Sequence, residues 1–159
     1  MMAKKVKIKK TLVEQILTKA GIKHKGIQVN ALEGQIPSGY EKHQIFKTLA
    51  LLGDKTGPII GIIPITEHLS EKKLAKISGN KKVNMIPQKD LEKTTVYIHG
   101  ANNPVGIRQK HNYPIFIDNT AVSLNELIVS AGEVGHSIII EPKDLASFVK
   151  AEFADILEV

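Results

Sequence analysis

Two apolar runs, residues 44–52 (QIFKTLALL) and 58–66 (PIIGIIPIT), stand on either side of the pentapeptide GDKTG. Both are strand-like in length and content, and the glycine-bounded segment between them is a turn signal. They predict a pair of adjacent strands around which the rest of the chain must be arranged. Neither run approaches the ~20 apolar residues that a membrane-spanning helix needs.

The flanking signals are short and mixed. TLVEQILTKA, residues 11–20, has apolar residues at helical spacing, with Thr11 as N-cap and Gly21 as the stop. Residues 22–29 read as a strand and 31–40 as a loop holding two glycines and a proline. SEKKLAKIS, residues 70–78, reads as a helix capped by Ser70 and stopped by Gly79. Residues 81–86 come next as a strand and 87–93 as a helical turn. Residues 96–99 and 114–117 are expected to be strands flanking a glycine loop at 100–106 and a basic linker. Residues 127–130 and 136–140 form a strand pair around AGEVG, and 142–151 close the chain as a helix led by Asp144 as cap.

This order is not a regular βαβ alternation, and short turns join several strand pairs. The fold class expected is α/β, a mixed, largely antiparallel central sheet with peripheral helices. At 159 residues, without repeat or linker, the chain reads as one domain spanning 1–159.

Several chemistries are excluded by what is absent. There are no cysteines, hence no disulfide, thiolate nucleophile, iron–sulfur cluster or cysteine-based zinc site, and a cytoplasmic location is the simple reading. The six histidines form no HxH, HxxxH or HExxH pattern, so no metal is expected. GDKTG lacks Walker spacing, the loop at 100–106 is not GxGxxG, and GxSxG is missing, so no cofactor is expected either. No apolar segment follows the basic N-terminus, so no secretory signal is expected.

The net charge is +6, and five lysines (Lys4, Lys5, Lys7, Lys9 and Lys10) crowd the first ten residues. The reading preferred for residues 1–10 is a frayed, solvated terminus over a phosphate-contacting arm. Aromatic residues make up 4% with no tryptophan, which argues against a stacking platform for single strands. An RNA partner would be held by its phosphates and at one end.

What remains is the segment 97–121, YIHGANNPVGIRQKHNYPIFIDNTA, together with Lys47 inside the apolar run IFKTL. Glycine lets bare backbone N–H groups approach a ligand. A loop of such donors beside one cation suits a carbonyl-bearing or oxygen-rich substrate. Lys47 could equally point to solvent, since strand side chains alternate faces. His99 borders the loop and could simply pair with backbone. Ser130 and Ser137 flank the AGEVG turn with no local base, as structural hydrogen-bonders commonly do.

IFKTL, KKLAKISGNKKVNMIP, the 97–121 segment and IVSAGEVGHSIIIEPKDLASFVKAEFADI, in this order, resemble the YbaK/EbsC family. These are stand-alone aminoacyl-tRNA deacylases related to the editing insertion of prolyl-tRNA synthetase. The resemblance runs from about residue 45 to 156. It implies a barrel-like central sheet and an activity that depends most on Lys47. Gly100, Ala101, Asn102, Asn103 and Pro104 would surround the aminoacyl carbonyl, with Gly100 contributing to catalysis. Phe46, Thr48, His99 and Ser130 would complete the substrate site.

The implied reaction is trans-editing: hydrolysis of the ester of a mischarged tRNA, first of all cysteinyl-tRNA for proline, held by its 3′ acceptor end. Attack by the substrate's own thiol is the family proposal and suits a chain without cysteine. Asn103 stands where many relatives carry serine and Ser137 where many carry aspartate. Residues 27–39 offer no match for the family's pocket tyrosine. These departures motivate the alternatives, alanyl-tRNA for proline or another small aminoacyl-tRNA, or a non-catalytic regulator that binds aminoacyl-tRNA. A domain with a radius of gyration of about 15 Å cannot reach from acceptor end to anticodon. The expected partner for tRNA choice is therefore prolyl-tRNA synthetase, in a transient complex.

Overall fold

The computed structural model describes residues 10–159, so Lys4, Lys5, Lys7 and Lys9 lie outside the described residues. The chain opens with helix α1 (Leu12–Lys19), where the Thr11 hydroxyl accepts from the Glu14 N–H. Strand β1 (His24–Ile27) is next, and then two short 3-10 turns at Ala31–Glu33 and Lys42–Gln44. The hairpin β2 (Phe46–Gly53) and β3 (Gly57–Pro64) is the one the apolar runs predict. Helix α2 (Glu71–Ser78) takes Ser70 as cap, and Gly79 ends it in the left-handed conformation. Strand β4 (Val83–Met85) and helix α3 (Gln88–Thr95) lead to helix α4 (Pro104–Lys110) and strand β5 (Ile115–Asp118). Strands β6 (Leu127–Ser130) and β7 (Ser137–Ile140), helix α5 (Pro142–Val149) and strand β8 (Glu152–Ala154) complete the chain.

The strands form a five-stranded sheet, β4-β2-β3-β5-β8, and a three-stranded sheet, β1-β7-β6. Pairing is antiparallel except for β3–β5 and β5–β8. A single parallel bridge between Ile45 and Ile128 links the sheets, which do not close into a barrel. The main core lies between them: Phe46, Ile60, Ile62 and Ile117 meet Leu127, Val129, Ile138 and Ile140. The far face of the large sheet, with Leu51, Ile59 and Ile63, is covered by Leu74 and Ala75 of α2. Each fully buried aliphatic side chain contributes about 1.5–3 kcal/mol. The large sheet is therefore anchored on both faces.

The register of β2 leaves part of the sheet edge open. The Ile65 N–H donates to the Ile45 carbonyl at 2.9 Å. Hydrogen-bonded residues alternate along an antiparallel pair. Lys47, Leu49 and Leu51 therefore bond across to β3, while Thr48 and Ala50 turn their N–H and C=O groups outward. Pro58 and Pro64 fall opposite Leu52 and Phe46, where β2 asks no N–H of them. On its outer side β2 pairs with β4 only from Leu51 to Gly53, and the Ile86 N–H reaches the Ala50 carbonyl at 3.1 Å. Between that contact and the Ile45–Ile128 bridge, the edge at Thr48 is left uncovered.

Three local expectations are corrected. Residues 96–99 are not a strand: α3 runs to Thr95, and Val96 ends it at φ 68 with its N–H on the Glu92 carbonyl. The loop and basic linker are largely α4, because Asn103 caps it and Pro104 occupies its first turn. Helix α5 begins at Pro142 behind Glu141, so Asp144 sits in the first turn and is not the cap. Among the described residues no helix is long and apolar enough to cross a membrane.

Candidate active site

A cleft of about 510 Å³ opens at the uncovered edge of β2. Its floor is Lys47, Thr48, Leu49 and Ala50. Met85, Ile86 and Leu91, from β4 and the start of α3, form one wall. His99, Gly100 and Asn102 form the other, with Val134 from the β6–β7 turn at the mouth.

The second wall is held from both ends. The chain turns sharply after α3, with the Ala101 N–H on the Ile98 carbonyl at 3.0 Å. Asn103, fully buried, then accepts from the Gly106 N–H at 2.6 Å and donates to the Ala101 carbonyl at 3.1 Å. The Tyr97 ring lies where any side chain at residue 106 would sit, so glycine there allows ring and helix to touch. Gly100 has φ +90, a conformation costly for other residues. The Ala101 N–H is committed, whereas the main-chain N–H groups of Gly100 and Asn102, residues that line the cleft, are not. Neither bonds to a carbonyl or side chain of the described residues.

Two polar side-chain atoms in this cleft, Thr48 Oγ1 and Asn102 Oδ1, are buried without a partner among the described residues. The orientation of the Asn102 amide is set by its Nδ2, which donates to the Ile98 carbonyl at 3.2 Å. Lys47 alternates to the opposite face of β2 from Thr48. It stands half-buried between the cleft and a second, more open groove bordered by His68, Ser70 and Lys72. Among the described residues no carboxylate lies within ion-pairing distance of its ammonium. Nor do any three histidine, aspartate or glutamate side chains among them converge to hold a metal ion.

Of the residues singled out in the sequence, Lys47, Thr48, His99, Gly100 and Asn102 line the cleft. Phe46, Ala101, Asn103, Pro104 and Ser130 are buried behind it. Phe46 belongs to the main core, and the Ser130 hydroxyl accepts from the Gly132 N–H at 3.1 Å. Met85 and Ile86 fall within the 72–87 segment that carries part of the resemblance, but nothing there marks them or Leu91 as site residues, and only the folded chain brings them to β2.

The sequence model of the aminoacyl-tRNA editing domain matches residues 33–148. The chain belongs to this family. It is 45% identical over 118 residues to a candidate Cys-tRNA(Pro)/Cys-tRNA(Cys) deacylase, EbsC, of Enterococcus faecalis. The match covers 74% of this chain and 71% of that protein. Solved structures agree on the fold. A candidate trans-editing enzyme for prolyl-tRNA synthetase superposes with a TM-score of 0.78 at 22% identity, covering 92% of this chain and 95% of the other. A hypothetical protein superposes with a TM-score of 0.82 at 20% identity, covering 92% and 99%. The editing-domain chain is thus an aminoacyl-tRNA deacylase, as its motifs imply, and aminoacyl-tRNA is its substrate.

Proposed function

We propose that the cleft receives the 3′-terminal aminoacyl-adenosine of a mischarged tRNA and that the preferred substrate is cysteinyl-tRNA for proline. The observation that carries this is a cleft of mixed lining that brings one cation, Lys47, unpaired among the described residues, together with two uncommitted main-chain N–H donors, those of Gly100 and Asn102. Lys47 would hold the terminal phosphate or a ribose hydroxyl at the rim. The N–H groups of Gly100 and Asn102 would face the ester carbonyl. As the carbonyl becomes tetrahedral, negative charge collects on its oxygen, and each preorganised donor there is worth up to about 3–4 kcal/mol. Phe46, Ala101, Asn103, Pro104 and Ser130 contribute from behind, by fixing the floor and the turn.

The nucleophile in this reading is the substrate's own thiol. Its sulfur attacks the ester carbonyl, the bond to the ribose oxygen breaks, that oxygen takes the thiol proton, and water later opens the cyclic thioester. The 45% identical relative named for Cys-tRNA(Pro) supports this choice of amino acid. A second reading comes from His99, which lines the cleft and could serve as base for a water on substrates without a thiol, such as alanyl-tRNA. The editing unit in this proposal is the single domain 1–159, working in the cytoplasm in transient complex with prolyl-tRNA synthetase, which supplies the tRNA choice.

Single-turnover release from cysteinyl- and alanyl-tRNA for proline separates the readings. Thiol attack gives fast loss of cysteine and slow loss of alanine, unaffected by His99→Ala. Water attack gives release of both, reduced by His99→Ala. In either case Lys47→Ala should lower kcat/KM by about 100-fold or more, equivalent to at least about 2.7 kcal/mol. Full activity of Lys47→Ala would place the chemistry elsewhere.

A further inference from the structure

Thr48 Oγ1 and Asn102 Oδ1 are both buried, both unpaired, and both in the same cleft. Asn102 as a whole is only 7% exposed. Buried polar atoms nearly always have partners; Asn102 Oδ1 can only accept and Thr48 Oγ1 can accept or donate, so a ligand that brings hydrogens would satisfy both. Asn102 has no freedom to hide its oxygen, because its amide nitrogen is already engaged by the Ile98 carbonyl. The same cleft is lined by the aliphatic Ala50, Ile86 and Leu91 and by the polar Asn30, Gln88 and His99. Glu33, the cleft's carboxylate, is solvent-exposed and needs no ligand donor.

On the reading that the cleft takes an aminoacyl ester, we infer that Asn102 Oδ1 and Thr48 Oγ1 determine specificity by reading the substrate's free α-amino group. That group carries at least two N–H donors in either protonation state, one for each orphan. The ribose 2′-hydroxyl brings one. An N-acylated amino acid has a single amide N–H, so it leaves one of the two without a hydrogen donor, and its added carbonyl oxygen cannot pair with Asn102 Oδ1, which only accepts. The enzyme should therefore act on aminoacyl-tRNA and spare tRNA whose amino acid is N-acylated, peptidyl-tRNA included.

The test compares single-turnover hydrolysis of cysteinyl- and alanyl-tRNA for proline with that of their N-acetyl forms, using wild type, Thr48→Val and Asn102→Leu. Thr48→Val keeps the side-chain shape and removes the oxygen, so it protects the test should Asn102→Leu disturb the turn. Expected is a preference for the free amine of about 100-fold or more in wild type. Each variant should lose roughly 10- to 100-fold on the free amine and much less on the N-acetyl form. Equal hydrolysis of free and N-acetyl substrates would overturn the inference while leaving the deacylase reading standing. A preference untouched by either variant would also overturn it, since exclusion would then be steric. No hydrolysis of any free aminoacyl-tRNA would sink the substrate reading and the inference with it.

Discussion

Asn103 is the residue whose replacement should be most informative about how the site is held. Its side chain makes two buried hydrogen bonds in opposite directions, accepting from Gly106 at 2.6 Å and donating to the Ala101 carbonyl at 3.1 Å. Serine keeps an acceptor for the Gly106 N–H and loses the longer-reaching amide NH2 that meets the Ala101 carbonyl. The Ala101 carbonyl, in a residue 3% exposed, is then unpaired at a cost of about 1–3 kcal/mol. Alanine also removes the helix cap, worth typically about 1 kcal/mol more. The order of stability should be wild type, then Asn103→Ser, then Asn103→Ala, with the last down by about 2–4 kcal/mol. With a urea m-value near 2 kcal/mol/M, the alanine midpoint falls by about 1–2 M. Equilibrium urea unfolding followed by circular dichroism measures this directly. An Asn103→Ala midpoint within error of wild type, or serine as damaging as alanine, would refute the two-bond account of the turn.

Other parts of the structure give three further expected outcomes. Gly106→Ala forces the Tyr97 ring off α4, so stability should drop by about 1–3 kcal/mol, and deacylation should fall with it because the same turn carries Gly100 and Asn102. Asn80 lies away from the cleft, where its oxygen accepts from the Lys55 and Thr56 N–H groups at 2.7 and 3.0 Å. Asn80→Ala should thus cost about 1–3 kcal/mol in urea unfolding and leave kcat/KM of the folded enzyme unchanged. The Asp54 carboxyl is held below its ordinary value of 3.8, first by the Lys82 N–H and then by the Lys81 N–H. A depressed carboxyl stabilises the fold above its unfolded pKa, and that stabilisation is lost as pH falls through the lower folded value. Asp54→Asn should therefore flatten the acid limb of the stability curve below about pH 4 and leave its shape at neutral pH unaltered.

The elements legible in the sequence are those whose information is local. Thr11 with Gly21 and Ser70 with Gly79 bracket α1 and α2 because a cap hydroxyl and a left-handed glycine act within one turn of the helix they end. The β2–β3 and β6–β7 pairs are readable from apolar runs around glycine turns. Residues 96–110 are not, although Asn103-Pro104 is a readable cap and first-turn pair. The glycine at 106 weakens the helical pattern, and its reason is tertiary, the Tyr97 ring. Strand β8 escapes notice because its register comes from parallel pairing with β5, some 36 residues earlier in the chain. The site divides the same way. Lys47 and the glycine turn are motifs, but Thr48 and Asn102 come to one cleft only after folding.

The gap in the sheet at Thr48 has a consequence for how such a cleft can change over generations. Its polar floor includes an N–H and a C=O that belong to the main chain, and no substitution at residue 48 other than proline, which lacks the N–H, removes either of them. Point mutation can alter the size and chemistry of the pocket, and so the amino acid it admits, while a capacity to hydrogen-bond an ester-bearing ligand persists underneath. Specificity can drift quickly over a binding surface that is itself hard to lose, since only re-pairing of β2 by an inserted strand would erase it.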